Sequence, residues 1–175
     1  MDVLLVIDMQ KALFSTPRFD SEGVVNRINM LAEKIRKGLG KVIYIQHNGS
    51  EEEGLLPQSK GWQLLDNLYV DENDLFVTKT TCDSFYNTDL QEKLAEFPVK
   101  RVIITGCATD FCVDTTIRAA ASKNYSIVVV KDGHTTGDRP HLDAVEIIEH
   151  HNWVWENLIV PKTEIKVVPT TTLLE

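Results

Sequence analysis

The stretch Val3-Leu4-Leu5-Val6-Ile7-Asp8-Met9-Gln10 decides how this chain is read. Five apolar residues stand in succession, without the apolar–polar alternation of a half-buried strand. A strand written this way is buried on both faces, as in the interior of a parallel sheet. Five further short runs follow, at 41–46, 74–78, 101–105, 126–130 and 165–168, most with Val and Ile at successive positions. Helical patterns separate them. Residues 24–37 place Val24, Ile28, Leu31 and Ile35 on one face, and Gly38 and Gly40 supply a stop. Thr88-Asp89-Leu90-Gln91 resembles a capping box opening a helix over 90–97, which Pro98 ends. Two more helices are predicted over 110–123 and 141–150. Strands alternating with helices mean parallel pairing, right-handed crossovers and helices on both faces. The expectation is an α/β fold: one domain over residues 1–175, a three-layer α/β/α sandwich of about six strands. The stretch 48–73 lacks a repeating element, holds Gly49, Gly54, Pro57, Gly61 and Trp62, and is a candidate pocket wall.

Of the 175 residues, 18 are Lys or Arg and 26 Asp or Glu, a net charge of −8. Nucleic acid and anionic membrane surfaces both require a basic footprint, so neither is an expected partner. A small anion in a local pocket stays open. No apolar run approaches the length of a bilayer span, and no basic segment precedes the first one, so the chain is expected to be cytoplasmic. Three cysteines, Cys82, Cys107 and Cys112, are too few and too odd in number for a disulfide framework.

Ligands of open α/β sheets sit beyond the carboxyl ends of the strands. Asp8 and Gln10 follow the first run, His47 the second and Lys79 the third. Gly106-Cys107-Ala108-Thr109-Asp110-Phe111-Cys112 follows the fourth, and Lys131-Asp132-Gly133-His134 the fifth. A carboxylate, an ammonium and a thiol thus converge on one rim. A thiol attacks carbonyl carbon only as thiolate. Cys112 falls at a helix start, whose dipole favours an anion, Lys79 can hold the thiolate by charge, and Asp8 can carry its proton. Backbone N–H groups of the small-residue turn 106–109 can face a developing oxyanion. Burial raises the pKa of Asp8 and the ammonium lowers it; the sequence leaves the winner open.

Val6-Ile7-Asp8-Met9-Gln10, Lys79-Thr80-Thr81-Cys82-Asp83-Ser84-Phe85-Tyr86 and Thr105-Gly106-Cys107-Ala108-Thr109-Asp110-Phe111-Cys112-Val113-Asp114-Thr115-Thr116 resemble the three signature blocks of the isochorismatase-like cysteine hydrolases. Asp132-Gly133-His134-Thr135-Thr136 and His150-His151-Asn152 resemble the nicotinamidase-related branch. The resemblance implies a parallel six-stranded sheet in the order 3-2-1-4-5-6 and a catalytic triad of Asp8, Lys79 and Cys112. It implies an oxyanion hole from the backbone N–H groups of Ala108 and Cys112, a cis peptide between Cys107 and Ala108, and assembly as a dimer or larger homo-oligomer. The chemistry implied is cleavage of a small-molecule amide through a thioester. Two rivals are hydrolysis of an isochorismate-like vinyl ether, which does not need the thiol, and ligand binding without catalysis.

Nicotinamidases of this superfamily bind a metal through an Asp-x-His pair after the second strand and a further His. Here the stretch reads Gln46-His47-Asn48-Gly49-Ser50, so no metal is expected, and no cofactor motif is present. Gln10, Phe14, His47, Trp62, Tyr86 and Phe111 are the candidate substrate pocket. Cys107, His134 and the His150–His151 pair are read as structural, and Cys82 has no assigned role.

Overall fold

The run that opens the chain is a central strand. In the computed structural model, which describes all 175 residues, β1 (Asp2–Ile7) lies between β2 (Lys41–His47) and β4 (Arg101–Cys107). Outside these lie β3 (Leu75–Lys79), β5 (Ile127–Thr135) and β6 (Ile165–Val168). Every pairing is parallel, and the sheet order is 3-2-1-4-5-6.

Successive strand residues point to opposite faces, and both faces are covered. Val3, Leu5 and Ile7 pack toward α2 (Leu90–Ala95), α3 (Asp114–Ser122) and α4 (Ala144–Glu156), through Leu90, Leu94, Ile117 and Trp155. Leu4 and Val6 pack against Val24, Ile28, Leu31 and Ile35 of α1 (Ser21–Lys37), with Leu173 and Leu174 of α5 (Thr170–Leu174) at the edge of that core. All five β1 residues from Val3 to Ile7 are fully buried. Their burial contributes on the order of 10 kcal/mol, about what fixing that backbone costs in entropy.

Several predicted boundaries move. The helix expected over 110–123 begins as a π-helical turn, Thr109–Val113, before α3. Thr88–Gln91 is not a capping box: Thr88 Oγ1 donates to Ser84 O at 2.6 Å, and Asp89 makes no side-chain cap. The real capping box is Asp143 with Glu146, at the start of α4, three residues later than expected. β5 runs on to Thr135 after a register shift against β4 between Ile104 and Gly106. His134 is therefore buried within a strand rather than standing at its end.

Candidate active site

Three strand ends and one turn build the site. Asp8 follows β1 directly. Its φ of +49° turns the chain out of the sheet in the left-handed region, which Asp tolerates better than most residues. Its backbone N–H donates to Ile45 O at 2.8 Å, and the carboxyl is 1 % exposed. Lys79 closes β3, two strands away, and its long side chain reaches past the end of β2. Its Nζ donates to Asp8 Oδ2 at 2.7 Å, to Thr81 O at 3.0 Å and to Cys112 Sγ at 3.3 Å. All three groups are thus within reach of one nitrogen, although 71 and 33 residues separate Lys79 from its two side-chain partners.

Cys112 sits in the π-helical turn after β4. The widened turn is closed by Val113 N–H donating to Ala108 O, five residues back, at 3.1 Å. The Cys107–Ala108 peptide is cis. The Ala108 N–H has no acceptor in the chain, and the Cys112 N–H has none outside its own turn. Buried backbone donors are otherwise nearly always paired, so these two suit an acceptor brought from outside. Gly106 makes the geometry possible: it has φ +126°, and a Cβ there would meet Ile7 O at 2.1 Å.

The turn is fastened from behind. Thr109 Oγ1 and His134 Nδ1 are 2.8 Å apart, and His134 Nε2 lies 3.1 Å from Asn152 Oδ1 of α4. An Nε2–H donor to the amide oxygen leaves Nδ1 to accept from the threonine, so the imidazole is neutral. Burial pushes its pKa down to about 4. Asp110 accepts from Thr136 Oγ1 and from Arg139 at 2.7–3.0 Å, and Ser84 pins the 80–87 loop to Thr116 at 2.7 Å.

Burial decides the electrostatics. It raises the pKa of Asp8 above the ordinary carboxylate value, although Lys79 pulls the other way. Burial also raises that of the Cys112 thiol; the Asp8 charge adds to this and outweighs Lys79. Lys79 remains an ammonium: burial opposes its charge, but Asp8 and then Cys112 more than compensate. The Asp8 carboxyl and the Cys112 thiol thus both hold their protons more tightly than in water, beside a charged Lys79. Asp8 Oδ1 has no conventional hydrogen bond within the chain and is free to take the thiol proton. Cys107, fully buried, is pushed up to about 12 and is inert.

Asp8 and Cys112 open into a cavity of about 300 Å³. Of the residues expected to line it, His47 and Phe111 do so. The other four do not. Gln10 is fully buried and bonds the loop backbone at His47 and Trp62. Phe14 packs on the α1 side of the core. Trp62 donates Nε1–H to Asn48 Oδ1 at 2.8 Å, and Tyr86 stands out in solvent. The 48–73 stretch does form a wall, but through Glu53 and Leu55. Arg18, Arg139, Leu13 and Cys82 also line the cavity and were missed. Arg18 and Arg139 lie further along the loops after β1 and β5, well past the strand ends, where no sequence pattern marks them. No three His, Cys, Asp or Glu side chains are grouped as metal ligands. A larger depression of about 440 Å³, between Arg118 and Lys162, is lined by neither thiol nor carboxylate.

The isochorismatase domain family model matches residues 2–155. The chain belongs to the isochorismatase family of hydrolases. A solved isochorismatase family protein superposes with a TM-score of 0.86 at 32 % identity, covering 94 % of this chain and 96 % of that one. An uncharacterized isochorismatase family protein of Bacillus subtilis (strain 168), YddQ, is 27 % identical over 157 residues, 87 % of each chain. The ureidoacrylate amidohydrolase RutB of Enterobacter sp. (strain 638) is 34 % identical over 93 residues, 51 % of this chain and 40 % of that one. No helix of this isochorismatase-family chain is long and apolar enough to cross a membrane.

Proposed function

We propose that this isochorismatase-family protein is a single-domain amidase that cleaves a C–N amide bond of a small molecule through a thioester on Cys112. The observation that carries the reading is the Lys79 Nζ, bonded to Asp8 at 2.7 Å and to Cys112 Sγ at 3.3 Å beside an open cavity. Asp8 takes the thiol proton as sulfur attacks the carbonyl carbon. Because burial raises the pKa of both groups, transfer is coupled to attack. The Ala108 and Cys112 N–H groups receive the oxyanion, each such donor typically contributing about 3 kcal/mol to the transition state. Asp8 then protonates the departing nitrogen, the C–N bond breaks, and water activated by the same carboxylate hydrolyses the thioester. Lys79 keeps Asp8 and Cys112 in register throughout. A relative named for amidohydrolase activity supports the bond type.

The test is ammonia release from a panel of primary amides, with acyl-enzyme sought by intact mass in rapidly quenched samples. Cys112→Ala is expected to abolish turnover and the adduct while the circular dichroism spectrum is unchanged. Turnover that survives Cys112→Ala but not Asp8→Asn would overturn the thioester route and favour ether hydrolysis.

A further inference from the structure

The cavity's charges do not all cancel. Lys79 pairs with Asp8, and Arg139 pairs with Asp110. Arg139 also lies over the Phe111 ring, 5.1 Å from its centroid, and its Nε and one terminal nitrogen are taken by Asp110 and Thr136. Arg18 is different. No carboxylate lies within ion-pair distance of it, and its one hydrogen bond runs from Nε to Leu13 O at 2.7 Å. That bond fixes the guanidinium plane and leaves both terminal nitrogens free. The local chain is tied down. Phe19 N–H donates to Thr136 O at 2.9 Å, and Thr135 Oγ1 donates to Phe19 O at 2.5 Å. Gly137 packs against the same segment, where a Cβ would stand 3.1 Å from Pro17 O and 3.3 Å from a terminal nitrogen of Arg18. Arg18 is thus a positioned cation on the wall of the cavity that holds Cys112, not a side chain wandering in solvent.

We propose that Arg18 is a specificity-determining residue that binds a carboxylate on the substrate, so that the physiological substrate is an amide bearing an anionic group. The inference rests on the amidase reading of the same cavity. Two terminal N–H groups on a planar guanidinium match the two oxygens of a carboxylate, a geometry that lysine does not reproduce. The protein's net charge of −8 repels anions at long range, so such a substrate needs a local cation of this kind. Glu53, the other unpaired charge of the cavity, accepts from Ser50 N–H at 2.7 Å on an exposed loop and would disfavour an anion bound on its side. The charges give the cavity a direction: carboxylate toward Arg18, amide carbon toward Cys112.

The test uses ligand pairs that differ only in charge: succinamate and glutaramate, each beside its methyl ester. One readout is the rate of Cys112 alkylation by iodoacetamide, followed by mass spectrometry, which needs no turnover. The acids are expected to protect Cys112 and the esters to protect weakly. Arg18→Gln should weaken protection by the acids about thirtyfold or more and leave the esters unchanged; Arg18→Lys should restore part of it. In turnover, Arg18→Gln should raise KM for the acids with kcat little changed. Equal protection by acids and esters, or protection unaffected by Arg18→Gln, would overturn the proposal. Charge-selective protection without hydrolysis of any amide would leave the Arg18 assignment standing and refute the amidase reading. Hydrolysis of esters and acids with equal kcat/KM would do the reverse.

Discussion

Replacing Lys79 by methionine removes the cation from a fully buried ion pair, and its cost follows from the geometry. Asp8 is 1 % exposed and takes its principal hydrogen bond from Lys79 at 2.7 Å. Methionine fills a similar volume, so the effect is electrostatic rather than a cavity. An ionised Asp8 left alone in that setting would cost about 3–5 kcal/mol, a large part of the roughly 5–15 kcal/mol that holds a domain folded. The carboxyl escapes by taking a proton. Its pKa is already raised from 3.8 by burial, with Lys79 as the main opposing influence; without Lys79 it rises further. A folded-state pKa above the unfolded one means that stability is retained at low pH and lost as pH climbs through the folded value, by about 1.4 kcal/mol per unit. Lys79→Met should therefore be more destabilising at pH 8 than at pH 5. Urea unfolding at the two pH values, with linear extrapolation, measures the difference. If the variant does not fold at pH 8, Lys79→Met combined with Asp8→Asn removes both charges and should recover most of the loss and flatten the pH dependence, without activity. A cost below 1 kcal/mol at both pH values, as for a solvated pair, or a double variant no more stable than the single one, would refute the reasoning.

Gly106→Ala places a methyl group 2.1 Å from Ile7 O at a φ of +126°, and a loss of about 3 kcal/mol or more is expected in thermal or urea melts. His134 is neutral in the fold with a pKa lowered to about 4 from 6.5. A depressed value means stability present above pH 6.5 and lost as pH falls toward 4, about 3 kcal/mol in all; His134→Gln should show a shallower acid slope than the wild type. The acid limb of kcat/KM should report Asp8 and lie above the ordinary carboxylate range, because burial raises that pKa; Asp8→Asn should remove activity at every pH.

The sequence by itself determined the sheet. Unbroken runs such as Val3–Ile7 leave a strand no polar face to show to water, so it must be central and parallel, covered by helices on both sides. It also placed Asp8 and Lys79 at strand ends and Cys112 in the turn that follows one, because the strand-end rule depends on where apolar runs stop. Only the tertiary structure decided which other groups share the cavity. Gln10 and Trp62 look like pocket residues on the same rule, yet they serve to anchor the 48–73 loop. Arg18 and Arg139 arrive from loops whose paths no periodicity encodes. The protonation state likewise needed three dimensions. Whether a thiol beside a carboxylate and an ammonium is charged depends on how much water each has lost, and that is set by the packing of distant segments, not by the spacing of residues along the chain.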